Sequence, residues 1–259
     1  NTLVGISMLG VNAGYIGKVA DDDLGTRFAS GMRDAGVDYD TPVLAGQDAT
    51  ARCLIAVTPD GERSMSTFLG ASVKFGKEDV LKSWVESAKI TYLEGYLFDS
   101  DEAKAALVKA SEIAAASGGE VALTLSDSFC VDRHRESFKH LVDNHVDILF
   151  ANEAELLSLY EKDDFDAALN ELAKYCKVAC VTRSEKGSVI LADGERHVIP
   201  VSPVDKVVDT TGAGDQYAAG VLAGYAKGLS WADAGFLGSR CAAEVISHYG
   251  ARPETKIEA

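Results

Sequence analysis

Short apolar runs alternate with segments of helical period over most of this chain, and that rhythm constrains the fold more than any other feature. The β-type runs fall at 13–16, 90–94, 121–125, 148–150 and 178–182. Helical patterns occupy 1–9, 22–34 (closed by Gly36) and 101–117 (closed by Gly118-Gly119). Strand followed by helix, repeated, predicts an α/β fold: a mostly parallel sheet flanked by helices on both faces. Residues 43–69 break the rhythm. There Ala51-Arg52-Cys53-Leu54-Ile55-Ala56-Val57-Thr58 and Ser64-Met65-Ser66-Thr67-Phe68-Leu69 flank Pro59-Asp60-Gly61-Glu62. Asp-Gly between two strand-like runs signals a hairpin. The segment reads as a small antiparallel flap inserted in the α/β domain, able to cover a site or pair with another subunit; a plain edge hairpin is the competing reading. A second hairpin is expected at 188–200, turning at Asp193-Gly194. Residues 212–248 read as mostly helical, with Ala213, Tyr217, Val221 and Tyr225 on one face. There is no internal repeat, low-complexity tract or interdomain linker.

Composition removes several function classes. With 25 Lys and Arg against 40 Asp and Glu, the net charge of −15 argues against a nucleic-acid backbone or an anionic membrane surface as partner. No stretch is long and apolar enough to span a bilayer. The start, Asn1-Thr2-Leu3-Val4-Gly5, has neither the basic region of a secretory leader nor an initiator Met, and a preceding segment is expected. Five cysteines (Cys53, Cys130, Cys176, Cys180, Cys241) show no disulfide framework and read as reduced, mostly buried thiols of a cytoplasmic protein. Cys176 and Cys180 have no partner pair for zinc, and the five histidines (His134, His140, His145, His197, His248) have no ligand spacing.

The chemistry-bearing segment is Val207-Val208-Asp209-Thr210-Thr211-Gly212-Ala213-Gly214-Asp215-Gln216-Tyr217-Ala218-Ala219-Gly220. A strand is expected to end near Asp209, and a helix to begin near Gly212. The first N–H groups of a helix lack internal partners and sit at the positive end of its dipole. Small residues there let an anion approach, so Gly212, Ala213 and Gly214 make an anion cradle. A dinucleotide fingerprint fails because Tyr217 stands at its third glycine and Asp215 would face the pyrophosphate. A Walker A loop fails because no Gly-Lys-Ser/Thr occurs in the chain. A third reading sets Asp215 at the mouth of the cradle, where it accepts a hydroxyl proton as the alcohol attacks a phosphoryl group. The plainer alternative is an Asp helix cap beside a tight turn.

Asp209-Thr210-Thr211-Gly212-Ala213-Gly214-Asp215 resembles the C-terminal signature of the ribokinase-like sugar and nucleoside kinases, the PfkB family. Asn152-Glu153-Ala154-Glu155 after the 148–150 strand resembles the family's Asn-x-x-Glu motif. Thr182-Arg183-Ser184-Glu185-Lys186-Gly187 follows a strand where the family places an ATP-contacting loop, although the family usually carries Gly where Arg183-Ser184 stands. Asn1-Thr2 resembles the tail of the N-terminal Gly-Gly-x-x-x-Asn signature. The resemblance runs over essentially the whole chain. It implies a ribokinase-like domain over 1–42 and 70–259 and a β lid over 43–69 that excludes water from the reaction. It also implies a strand, two lid strands and an acceptor-binding Asp ahead of Asn1. Asp215 would be the catalytic base, with Gly212, Ala213 and Gly214 as anion hole. Asn152 and Glu155 would order Mg²⁺ through its waters. Thr182, Ser184, Gly187 and Ser239 would contact ATP. Asp209, Thr211 and Gly250 would approach a monovalent cation, K⁺ in many relatives. Pairing of lids between subunits would make a homodimer.

Leu125-Ser126-Asp127-Ser128-Phe129-Cys130-Val131-Asp132-Arg133-His134-Arg135 and Thr67-Phe68-Leu69-Gly70 resemble a bacterial adenosine-kinase-like branch of the family. Asn1 would bind ribose hydroxyls. Phe68 and Tyr96 could stack on a purine or a sugar face, or be ordinary core aromatics. The expected reaction is transfer of the ATP γ-phosphoryl group to a nucleoside 5′-hydroxyl, adenosine first. A free sugar such as ribose or fructose is the alternative acceptor. A silent nucleoside-binding sensor and a dinucleotide-dependent oxidoreductase are the other classes.

Overall fold

The computed structural model describes residues 1–46 and 48–257. In chain order the elements begin with α1 (Thr2–Met8), β1 (Ala13–Tyr15), α2 (Asp23–Asp34), β2 (Val37–Tyr39), β3 (Arg52–Val57) and β4 (Arg63–Phe68). Next come α3 (Lys82–Ser87), β5 (Ile90–Glu94), α4 (Asp101–Ala116), β6 (Glu120–Thr124), α5 (Ser128–His145), β7 (Ile148–Asn152), α6 (Glu153–Tyr160), α7 (Phe165–Leu172) and β8 (Val178–Thr182). The order ends with β9 (Ser188–Ala192), β10 (Glu195–Ile199), α8 (Ala213–Ala226) and α9 (Trp231–Val245). The chain divides into two compact units, Asn1–Ser72 with Ile199–Ala259, and Val73–Val198.

The larger sheet has the strand order β10-β9-β8-β7-β6-β5. Strands β5 to β8 pair in parallel, and β9 returns antiparallel to β8. Within the second unit, β6, β7 and β8 are buried at consecutive positions, the pattern of strands covered on both faces. Leu123, Ile148, Leu149 and Ile190 lie fully buried here, each contributing about 1.5–3 kcal/mol by leaving water. The helices between the strands start on side-chain caps: Ser100 accepts from Ala103 N–H, Asp127 from Cys130 N–H and Asp164 from Ala167 N–H. The α/β architecture and both hairpins agree with the sequence reading.

In the first unit, β1 and β2 pair in parallel, and β3 and β4 form a separate antiparallel ribbon turning at Gly61 (φ +82°). The ribbon is exposed on both faces; Leu54 is 74% and Met65 52% exposed. Two sequence expectations fail in this unit. Residues 207–209 form no strand, although Val208 N–H still bonds the Ile246 carbonyl at 2.8 Å. Helix α8 does not bury a single face set by Ala213, Tyr217, Val221 and Tyr225; residues 216–224 are buried without interruption. The reason is its run of small residues. A Cβ on Gly220 would lie 2.5 Å from the Gly238 Cα, so α8 and α9 meet backbone to backbone.

Candidate active site

The turn entering α8 owes its shape to Asp209 and Gly212. The buried Asp209 carboxylate accepts from Thr211 N–H at 2.9 Å and Gly250 N–H at 3.0 Å. Burial pushes this carboxyl up, but the nearby Thr211 hydroxyl, the Gly250 and Thr211 N–H groups and the Arg63 charge outweigh it and hold the group below its ordinary range. Gly212 has φ +83°, and a Cβ there would sit 2.8 Å from the backbone of Ala251, so glycine is required. Ala213 N–H donates to the Thr210 carbonyl, and the first α-helical bond is Gln216 N–H to the Gly212 carbonyl. The N–H groups of Gly214 and Asp215 therefore precede the helical ladder, at the positive end of the dipole. A Cβ on Gly214 would meet nothing within 4 Å, so the turn is open on that side. No side chain caps α8, which removes the helix-cap reading of Asp215.

Asp215 lies in the first turn of α8, and its Oδ2 accepts from the Asn1 amide Nδ2 at 2.8 Å. Asn1 is the N-cap of α1. The ribbon reaches the same loop. Arg63 Nη1 donates to Thr210 Oγ1 at 2.6 Å, and the Gly61 carbonyl accepts from Thr210 N–H and Oγ1. Thr211 Oγ1 is buried and close enough to Asp209 to help keep that carboxyl ionised. This unit thus assembles Asn1, Asp209, Thr211, Gly212, Ala213, Gly214, Asp215 and Gly250. It leaves Phe68 elsewhere, 45% exposed on the ribbon with the Arg52 guanidinium 4.9 Å above its ring. Ser239 also stands apart from the open surface. Its hydroxyl accepts from Ser202 N–H and donates to the Pro200 carbonyl, fastening that segment. Beside it lies a cavity of about 570 Å³ lined by Ser202, Asp205, Lys206, Arg240, Ala243 and Ser247.

In the second unit, Asn152 and Glu155 form a capping box at the start of α6. Asn152 Oδ1 accepts from Glu155 N–H at 2.8 Å, while Glu155 Oε2 accepts from Asn152 N–H at 2.9 Å and its Oε1 from Asn152 Nδ2 at 2.6 Å. Burial pushes the Glu155 carboxyl up to about 7, against the Asn152 hydrogen bond and with help from Asp127. Such a carboxylate favours a cation or its waters nearby, and its oxygens suit Mg²⁺. Thr182 lies opposite Asn152 in the β7–β8 register, at the carboxyl ends of parallel strands where α/β folds place ligands. The loop beyond keeps a left-handed residue at Ser184 (φ +49°) and at Gly187 (φ +81°). Arg183 is pinned by an ion pair with Glu153 at 2.8 Å and stacks 3.8 Å from the Phe165 ring. Tyr96 is 56% exposed, its hydroxyl bonded to the Ser126 carbonyl.

The pfkB family carbohydrate kinase pattern matches residues 1–257. The chain belongs to that family. This pfkB-family kinase is 51% identical to an adenosine kinase from Sinorhizobium meliloti, whose crystal structure it matches with a TM-score of 0.97 over 99% of this chain and 79% of that one. It is 50% identical to a probable sugar kinase from Rhizobium etli CFN 42, with a TM-score of 0.96 over 99% and 78%. It is also 28% identical to the adenosine kinase of Saccharomyces cerevisiae (94% of this chain, 74% of the relative) and 25% identical to fructokinase-1 of Oryza sativa subsp. japonica (86% and 71%). The fold is thus ribokinase-like, and the kinase is a phosphotransferase with a sugar or nucleoside hydroxyl as acceptor. Among the described residues no helix is long and apolar enough to cross a membrane.

Sequence reasoning about this kinase passed over two residues the structure singles out. Arg63 brings a guanidinium to Thr210, three residues before the anion turn's Ala213. Phe129, in the first turn of α5, is 75% exposed, and Ser126 before it has φ +73°. The sequence signal available was weak: an aromatic two residues after the capping Asp127.

Proposed function

We propose that this kinase transfers the γ-phosphoryl group of ATP to the 5′-hydroxyl of a nucleoside, adenosine first. The observation that carries the reading is the Asn1–Asp215 hydrogen bond at the mouth of an open, glycine-lined helix start. Asp215 accepts the hydroxyl proton, the freed oxygen attacks the γ-phosphorus, and the bond to ADP breaks. Asn1 aligns the acceptor's ribose hydroxyls. The Gly212-Ala213-Gly214 turn holds charge gathering on the phosphoryl oxygens through the N–H groups of Gly214 and Asp215, since Ala213 N–H is taken by the Thr210 carbonyl, and Arg63 adds a guanidinium nearby.

Mg²⁺, when bound with ATP, neutralises phosphate charge. Asn152 and Glu155 hold its waters, which agrees with a buried carboxyl lacking a cation partner. Thr182, Ser184 and Gly187 contact ATP. The cavity behind Ser202 and Arg240 takes the base, with Ser239 beside it as the residue that fastens Ser202. Asp209, the Thr211 hydroxyl and Gly250 hold a monovalent cation such as K⁺. Residues 43–69, of which residue 47 lies outside the described ones, act as the lid on the remaining domain (1–42 and 70–259). Its two exposed faces suit a second copy of the chain, giving a homodimer. Five free thiols suit the cytoplasm.

Nucleoside is preferred to free sugar because the second unit displays Tyr96 and Phe129 at strand ends, where apolar rings can stack on a base. Phe68 contributes from the ribbon. The fructokinase relatives keep a ketohexose as the second reading. The test is ADP release with Mg²⁺-ATP and adenosine, ribose or fructose in parallel. Turnover with adenosine well above the sugars is expected. A preference for fructose or ribose overturns the acceptor, and tight adenosine binding without ADP release indicates a sensor.

A further inference from the structure

Gln216, the residue after Asp215, is completely buried, and nothing in the reaction written above uses it. Its amide Nε2 donates to two backbone carbonyls, those of Asn1 at 3.2 Å and Ala251 at 3.3 Å. Because both partners are carbonyl oxygens, the orientation of the amide follows from the contacts. Its Oε1 is buried with no hydrogen-bond partner and presses on Gly5 of α1, where a Cβ would come within 2.1 Å of it. A fully buried amide with one end unpaired is costly to keep, so what the other end fastens matters.

We infer that Gln216 is a positioning residue for the acceptor side of the reaction; the inference rests on the proposed roles of Asn1 and Asp215. The contacts close a ring. Asn1 Nδ2 holds the Asp215 carboxylate, Gln216 holds the Asn1 carbonyl, and Asp215 and Gln216 are joined by a peptide bond. The first turn of α8 thereby grips the N-cap of α1 from both sides and fixes the Asn1 amide against the base. The second bond ties in Ala251, whose backbone packs on Gly212 and whose neighbour Gly250 caps Asp209. One side chain therefore sets the acceptor amide, the base and the anion turn in mutual register. The Asn1 carbonyl also accepts from Gly5 N–H at 3.1 Å, so the bond from Gln216 joins the first turn of α1 to the first turn of α8.

The test uses Gln216→Met, which keeps the volume and removes the donor. Expected are a fall of about 10- to 100-fold in kcat/KM for the acceptor, the span for a misplaced reacting group, and an unchanged KM for ATP. Gly5→Ala provides a second route, since its methyl displaces the Gln216 oxygen from α1, and it must show the same acceptor-specific loss. Wild-type kinetics in Gln216→Met, or equal losses toward ATP and acceptor, overturn the role. Hydrogen exchange in the full chain separates this from the functional reading. Faster exchange over residues 2–9 and 249–253 in Gln216→Met supports the clamp even if the wild type phosphorylates no acceptor in the panel, an outcome that overturns the proposed function instead. Unchanged exchange in both segments overturns the clamp.

Discussion

Replacing Asp215 with Asn isolates chemistry from structure at this site. The amide has the shape of the carboxyl and keeps an oxygen for the Asn1 Nδ2 donor, 2.8 Å away in the wild type. Losing the negative charge in the first turn of α8 removes about 0.3–1 kcal/mol of helix-dipole interaction. Converting a charge-assisted hydrogen bond to a neutral one removes about 1 kcal/mol more. Folding stability should therefore fall by only about 1–2 kcal/mol, and nucleotide affinity should hold. Turnover loses the proton acceptor, worth roughly 10²- to 10⁴-fold, or about 3–5 kcal/mol on the barrier. The assay is ADP release at saturating acceptor, with urea melts and ADP titration on the same preparation. A variant that retains kcat within about tenfold of wild type refutes the base assignment. So does a variant that loses ADP binding in step with turnover, because then the substitution has damaged the site rather than removed a proton acceptor.

Burial raises Glu155 from an ordinary 4.5 to about 7, so in Mg²⁺-free buffer the native state holds a proton that the unfolded chain has released throughout that window. The contribution of this one carboxyl is fullest below 4.5 and falls by roughly 3 kcal/mol as pH rises to 7, against the opposite trend of lowered carboxyls such as Asp209 and Glu153. The stability difference between wild type and Glu155→Gln in urea melts should change by that amount between pH 4.5 and 7, and a pH-independent difference refutes the shift. Cys53 is exposed, whereas burial pushes Cys130 up to about 11, Cys176 and Cys241 to about 12, and Cys180 well above its usual range. A thiol reagent should find one fast-reacting cysteine in the native chain, and a second fast thiol contradicts this packing. Ser184 is left-handed, so Ser184→Val should lower stability by about 1–2 kcal/mol while Ser184→Gly should not. Equal melts for the two variants refute that conformation.

Much of the fold is legible because its signals are local. The run 178–182 is β8 to the residue, since a strand buried on both faces writes an unbroken apolar stretch. Asp60-Gly61 and Asp193-Gly194 mark the two hairpins because their glycines take positive φ. The spacing of Asn152 and Glu155 is legible twice over, as a family motif and as a capping box. What failed depended on neighbours remote in sequence. The apolar period of α8 suggests one buried face, yet the helix is enclosed because α9 approaches it through Gly238. Phe129 looks like any aromatic in an amphipathic helix until its exposure is measured.

The chain's own letters determine the alternation of strands and helices, the hairpin turns and the glycine bend before α8, because each is a preference of neighbouring residues for particular dihedral angles. They also mark Asp215 as acidic next to unpaired peptide donors. Only tertiary structure sets Asn1 against Asp215, a pair 214 positions apart, and brings Arg63 to Thr210 and Gln216 under both Asn1 and Ala251. Only folding moves the Glu155 carboxyl to about 7, since desolvation depends on everything packed around it. Dihedral preference acts over a few bonds, whereas hydrogen bonding and burial act through space, and a single chain of letters records the first directly and the second only through its consequences.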